Sequence, residues 1–336
     1  MNETLFQRSM TLPDELLEGA IDIHVHAGPH LRSSPRRVDP FEAARQAREA
    51  GMRALVFMDV FKESAGTAWL VQRQVPGIEV FGGIILSTNH GGINPRAVKT
   101  ALNYGAGAKF VSFGAHSTHF KVSTEGRLVD GKPVLFQDLY PKYAAQELDR
   151  SIRIPLEDPI PEELSAVLEL IAAHPHIYLN TGHVSGEEAL RLVELAARYG
   201  IERVLIAGLA VEELSLEQQR AAAAGGAHLE RSLGQYIGTE GIPKTHYYVE
   251  PEYMDELIYD PAVRKGKHGG LLGLKEQIRT VGPEHIVLST DYGVRSLPPP
   301  VEGMRQLLAC LLDMELSNEE IRLMTAHNPA RLLGLR

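Results

Sequence analysis

The chain has 336 residues, 44% hydrophobic and 23% charged, the balance of a globular protein with a sizeable core. A net charge of -9 and the lack of any long Lys/Arg run argue against a protein that reads nucleic acid through its phosphates. No run approaches the roughly 18 apolar residues that a bilayer span needs, so no membrane role is expected.

The N-terminal MNETLFQRSMTLPDELLEG lacks the continuous apolar stretch of a signal peptide. The single cysteine, Cys310, lies in the apolar run Leu307–Leu312 and reads as a buried helix residue. With no intrachain disulfide possible, a reducing, cytoplasmic setting is expected.

Strand-like and helix-like runs alternate from about residue 20 onward, which predicts a parallel α/β fold. The first strand is Ala20 to His26. Asp39, Pro40 and Glu42 then supply an N-cap, a first-turn proline and a capping-box partner for a helix ending near Gly51. Further strands are expected at Arg53–Val60, Ile78–Leu86 and Ala108–Ala115, with helices near Ala65–Gln74 and Pro95–Tyr104 between them. Residues 117–158 show no sustained period and read as a first insertion covering one end of the molecule, with room for short elements of its own. The rhythm resumes with a helix at Pro161–Ala173 and a strand at Ile177–Gly182, and a helix capped by Ser185 and Glu188 follows. A strand at Arg203–Ala207, a helix opened by Ser215 and Gln218, and a short strand at Ala227–Glu230 come next. A second insertion, about 231–268, is rich in Tyr, Pro and Gly. A helix near Leu271–Val281, the strand His285–Thr290 and helices near Val301–Asp313 and Ser317–Thr325 close the chain. Eight strands with intervening helices suit a single domain over 1–336: a (β/α)8 TIM barrel with two insertions at its C-terminal face. An open doubly wound sheet would place a Gly-rich phosphate turn after its first strand, where this chain has His-Val-His-Ala-Gly-Pro-His.

In a parallel barrel the strand C-termini and the loops after them build the active site. His24 and His26 sit two apart at the end of the first strand, so both imidazoles can face the mouth and share a metal. Asp22 has the same parity one layer deeper, to hydrogen-bond a ligand histidine or fill a polar layer. The spacing alone is common, and placement is what separates this pair from His174-Pro175-His176, which falls at a helix-to-strand junction and reads as a surface turn. His183 follows the strand Tyr178–Gly182, and Asp291 ends the apolar strand Ile286–Thr290, where a carboxylate is costly to bury unless paired or metal-bound. Imidazoles and a carboxylate suit Zn, Mn, Fe or Ni.

These residues resemble the amidohydrolase superfamily, closest to an uncharacterised amidohydrolase-related branch. Asp22-Ile23-His24-Val25-His26 looks like its first-strand motif, His183 its fifth-strand histidine, Asp291 its eighth-strand aspartate, and His327–Gly334 its closing segment. The resemblance implies that His24, His26 and Asp291 are metal ligands and that Asp291 also accepts a proton. Two departures point to one metal rather than two. The sixth strand ends Leu205-Ile206-Ala207-Gly208-Leu209 without a histidine, and Lys109 stands at the start of the fourth strand rather than its end.

The expected ligand set is therefore His24, His26, His183 and Asp291 around one divalent ion, most simply Zn. Asp291, His116 and His119 are the expected catalytic groups, and His30, Glu230 and Arg295 the expected substrate or supporting groups. His90 and the second-insertion residues Lys244, His246, Tyr247 and Tyr248 are further candidates. The expected activity is hydrolysis of an amide, lactone or ester bond of a small molecule by metal-activated water. The alternatives are a single-metal decarboxylase, with Arg295 holding a substrate carboxylate, and a non-catalytic metal-binding barrel. Exposed barrel helices favour a homo-oligomer.

Overall fold

The computed structural model describes residues 14–30, 35–236, 270–295 and 297–336. It is a mixed α/β fold in which parallel strands alternate with helices. The strands are β1 (Ile21–Val25), β2 (Ala54–Phe57), β3 (Glu79–Phe81), β4 (Ile84–Ile85), β5 (Phe110–Ser112), the hairpin strands β6 (Gly126–Val129) and β7 (Lys132–Leu135), then β8 (Tyr178–Asn180), β9 (Val204–Ile206), β10 (His228–Ser232) and β11 (Ile286–Ser289). One sheet runs β1-β2-β3 and a second β11-β10-β9-β8-β5-β4, and every pairing within them is parallel.

The run expected as one strand at Ile78–Leu86 is split into β3 and β4 by Gly82 and Gly83. Both positions demand glycine, because a Cβ would lie 2.2 Å from the Ser64 carbonyl oxygen at Gly82 and 2.4 Å from that of Phe110 at Gly83. β1 and β11 meet through a parallel bridge between Val25 and Tyr292. The His26 amide donates to the Tyr292 carbonyl at 2.9 Å and the Asp291 amide to the His24 carbonyl at 3.0 Å.

Local signals place the helices closely. Ser185 with Glu188, Ser215 with Gln218 and Ser317 with Glu320 all form reciprocal capping boxes. The box expected at Asp39 is half formed: Asp39 accepts from the Glu42 amide, while the Glu42 carboxylate accepts from the Gln46 side chain instead. The 117–158 stretch, read as an insertion without sustained period, carries short elements of its own, namely the helix His119–Thr124, the β6–β7 hairpin and the helix Pro141–Arg150. The second expected insertion lies mostly outside the described residues, as do Lys244, His246, Tyr247 and Tyr248. Cys310 is buried in the helix Pro300–Asp313. No helix among the described residues is long and apolar enough to cross a membrane.

Two apolar clusters organise the core. The larger packs strand residues such as Leu55, Val111, Leu179 and Leu288 against the surrounding helices. The smaller gathers Ile21, Ile23, Val56, Phe110, Tyr178, Leu205 and Val287, with Leu332 and Leu333 of the C-terminal helix packed into it. Lys109 belongs to this lower end: its ammonium lies 5.3 Å from the centre of the Phe81 ring, and burial lowers its pKa.

His228 opens β10 with both ring nitrogens buried and no hydrogen-bond partner for either among the described residues. Burial, reinforced by the charges of Arg331 and His285, lowers its pKa to about 4. The unfolded chain therefore takes up this proton first. The stabilising effect of the neutral ring is complete above pH ~6.5 and is lost as pH falls toward 4, by about 3 kcal/mol at most. His228→Leu is expected to flatten the acid limb of stability, measured by urea denaturation at pH 5 and pH 7. An unchanged acid limb would remove His228 as its source.

Candidate metal centre

Three groups converge where β1 and β11 end. His24 Nε2, His26 Nε2 and Asp291 Oδ1 form a triangle with sides of 3.1, 3.2 and 3.4 Å. They are the one cluster of potential metal ligands found among the described residues. The other nitrogen of each ring is committed elsewhere. His24 Nδ1 lies 2.7 Å from Glu230 Oε1, and His26 Nδ1 lies 2.9 Å from the Met58 carbonyl oxygen. A carboxylate and a carbonyl only accept, so both Nδ1 atoms carry a proton, and in the neutral rings both Nε2 atoms present lone pairs. Three electron-rich atoms thus face one another in a largely buried pocket, an arrangement that needs a cation between them.

The donors fit one. A tetrahedral ion with ligands at about 2.0–2.1 Å sets neighbouring donors about 3.3–3.4 Å apart, and three protein ligands with an open fourth position suit a catalytic ion. In the ion's absence the proton is the available cation. Burial opposes the charged form of His24, but Asp291 and Glu230 outweigh it and raise its pKa to about 10. Burial lowers that of His26, with Arg36 and His24 adding to the effect.

The backbone around the triangle is tightly specified. Asp291 has φ +55, a left-handed conformation that Asp tolerates better than most residues and that the preceding residue helps to hold. Thr290 donates both its amide and its hydroxyl to Asp22, which also accepts from the His24 amide. Asp22 therefore braces the main chain beside both ligand-bearing strand ends and does not reach a ligand ring. This corrects the expected parity. A register shift between Asp22 and Val25 lets Ile21 and Ile23 enter the inner cluster while His24 and His26 face the triangle. Burial raises the Asp22 pKa to about 6 against the pull of its donors.

Glu230, expected as a substrate or supporting group, takes the supporting place: it is 1% exposed and turned onto His24. Its Oε1 also accepts from Ser289 Oγ at 2.8 Å, and its Oε2 from the Gly208 amide at 3.2 Å. That amide follows β9, at the strand end where the resemblance would have put a histidine.

His183 does not join the triangle, because it brings no ligand atom within 4.8 Å of all three others. Its amide donates to the Gly114 carbonyl and its own carbonyl accepts from Thr118 Oγ1, which ties it to the turn after β5. Its ring consequently stands edge-on to His116, with centroids 5.7 Å apart. His119 opens its helix with Nδ1 at 3.2 Å from Ser151 Oγ, facing the 117–158 segment. His90 Nδ1 lies 3.3 Å from Ser87 Oγ.

Arg295 lies in an exposed turn. Among the described residues, the guanidinium whose charge bears on the triangle is that of Arg36, which the sequence reading missed. Its only sequence signal is the basic pair Arg36-Arg37 before the Asp39 cap. Arg36 forms an antiparallel bridge with Val294, and its Nη2 donates to His30 Nε2 at 2.8 Å. The His30 ring packs against Phe61 at 4.8 Å. Burial lowers the Arg36 pKa to about 10, opposed by Asp291 and Asp59.

Among solved structures, an amidohydrolase from Burkholderia multivorans with bound zinc aligns over 94% of this chain and 99% of its own, at 13% identity and a TM-score of 0.54. A putative 2-pyrone-4,6-dicarboxylic acid hydrolase from Pseudomonas putida aligns over 94% and 97%, at 14% identity and a TM-score of 0.55. The organophosphorus hydrolase from Deinococcus radiodurans aligns over 94% and 92%, at 16% identity and a TM-score of 0.51. These are amidohydrolase-superfamily proteins, and the chain shares their fold, as its first-strand motif implied. No curated protein matches the chain. Residues 19–230 match the model of a family described only as a family of unknown function, DUF6282, and the chain belongs to that family.

Proposed function

We propose that the protein is a metal-dependent hydrolase of small molecules, built on a closed (β/α)8 barrel, with one divalent ion held by His24, His26 and Asp291. The observation that carries this reading is the triangle of His24 Nε2, His26 Nε2 and Asp291 Oδ1, three ligand-type atoms within 3.4 Å of one another. Barrel closure is supported by the hydrogen bonds from β1 to β11 and by the continuity of β3 into β4 across two glycines. The shared fold of zinc-containing and hydrolytic relatives supports the same class.

An ion bound there would supply Lewis acidity toward a carbonyl and acidify water, which suits an ester, lactone or amide. Zinc fits the donor set, and manganese, iron or nickel would accept it. The protein's groups do the rest. Glu230 and the Met58 carbonyl fix both imidazoles in the metal-binding tautomer. Asp291, whose side chain is 33% exposed against 13% and 15% for the two histidines, is the triangle member open to water and substrate. It accepts the proton of the attacking water and returns it to the leaving group. His116 and His183, paired at neighbouring strand ends, line the rim and orient the scissile group. His119, turned toward Ser151, has no part in this scheme.

The test is metal stoichiometry together with hydrolysis of an ester, lactone and amide panel. One equivalent of ion should bind, a chelator should abolish turnover, and zinc should restore it. Glu230→Gln should weaken metal binding by about 10–100-fold while the chain stays folded. A folded parent protein that binds no divalent ion would overturn the reading.

A further inference from the structure

Arg36 is held at the mouth by contacts that span the chain. Its segment is laid between the loops that follow the two ligand-bearing strands. The Gly28 amide donates to the Val38 carbonyl, the Arg37 amide donates to the Gly293 carbonyl, and Arg36 itself bridges Val294. His26 lies two residues before Gly28, and Asp291 two before Gly293, so this arm runs alongside both ligands.

The side chain is fixed as well. His30 Nε2 takes one Nη2 hydrogen at 2.8 Å, and the His30 ring is in turn seated on Phe61. Arg36 Nε is buried and makes no hydrogen bond among the described residues. Asp291 and Asp59 are near enough to act on its charge, yet no ion pair joins either to it among the described residues. A guanidinium offers five donors in a rigid fork, and leaving a buried one unused is costly. An oriented, partly unspent fork beside an aromatic wall is matched by a planar carboxylate.

We infer that Arg36, oriented by His30, is the specificity residue of this site and receives a carboxylate carried by the substrate. The inference rests on the proposed active site for its location, and its experiment reads binding rather than turnover. The substrate class that follows is an ester, lactone or amide bearing a free carboxylate a few bonds from the scissile carbonyl.

The probe is benzoate, with benzamide as its neutral counterpart, measured by calorimetry on the protein both chelator-treated and zinc-loaded. The parent should bind benzoate about tenfold or more tightly than benzamide in both states, and added salt should weaken benzoate. Arg36→Gln should lose about tenfold or more in benzoate affinity with benzamide unchanged, and Arg36→Lys, which keeps the charge but not the fork, should recover only part. His30→Phe keeps a ring against Phe61 and removes the acceptor that orients the guanidinium. It should weaken benzoate several-fold, and together with Arg36→Lys it carries the test if Arg36→Gln does not fold. Benzoate bound equally by Arg36→Gln, a parent that does not distinguish benzoate from benzamide, or affinity that vanishes whenever metal is removed would each overturn the assignment. A protein that hydrolyses nothing yet binds benzoate through Arg36 would leave the anion site standing and remove only the hydrolase.

Discussion

Asp291→Asn is expected to lower kcat by at least about 10³-fold, a barrier increase of roughly 4 kcal/mol, while the fold survives. Asparagine is the right replacement because of the backbone. At φ +55 an alanine would add a left-handed penalty of roughly 1–2 kcal/mol, whereas Asn tolerates that region as Asp does. The Cβ and the γ-branch stay in place, and two things change. The amide cannot accept a proton at neutral pH, so the water that attacks and the group that leaves lose their relay. It also removes the negative charge that lies 3.1 Å from His26 Nε2 and 3.4 Å from His24 Nε2, so the triangle's hold on a cation weakens. Worse, the new NH₂ can donate to one of those lone pairs and satisfy the site without an ion. Kinetics at saturating zinc separate the two losses: metal retained without turnover isolates the proton relay, and metal lost isolates the ligand role. Turnover within tenfold of the parent would remove Asp291 from both.

The contrast between what the sequence carried and what it hid follows the reach of each interaction. Capping boxes at Ser185, Ser215 and Ser317 close within three residues, so their partners stand next to each other in the text of the chain. Strand ends are nearly as plain: an apolar run that stops at a His or Asp marks His24, His26, His183 and Asp291. Whether such a residue enters the site depends on contacts that no window contains. His183 is drawn to His116 because its backbone is tied to Gly114 and Thr118, about 65 residues earlier by the hydroxyl contact to its carbonyl. Asp22 leaves its expected face because β1 changes register. Glu230 reads as an acid at a strand end with several possible duties, and only the 2.7 Å approach to His24, across 206 residues, selects one. Arg36 precedes a helix cap and has no periodicity to mark it, and its significance comes from the distant bridge to Val294 together with its contact to His30. The divided third strand shows the same limit, since Gly82-Gly83 reads locally as a tolerated defect and structurally as the only pair that fits between Ser64 and Phe110.

Gly293→Ala is expected to be the most damaging small substitution at the site, costing about 3 kcal/mol or more of stability and abolishing stoichiometric metal binding. The cost is steric rather than conformational, since Gly293 is not among the residues with positive φ. A Cβ placed there would lie 1.8 Å from the His26 carbonyl oxygen and 2.5 Å from the His26 Cβ. Backbone cannot swing aside as the end of a long side chain can, so either His26 leaves the triangle or the Tyr292–Gly293 segment peels away from β1. Either movement strains the bond from the His26 amide to Tyr292, and the second also strains that from the Arg37 amide to Gly293. The arm that carries Arg36 is then disturbed with the ligands. Gly234→Ala provides the graded comparison, because its Cβ would stand 3.1 Å from the Asp291 carbonyl oxygen and needs only a shift of a few tenths of an ångström. It should keep its metal and melt within about a degree of the parent, whereas Gly293→Ala should melt roughly 4 °C lower or more and bind none. Equal melting temperatures and equal metal content in the two variants would mean that close backbone approach between β1 and the segment after β11 does not hold the ligands together.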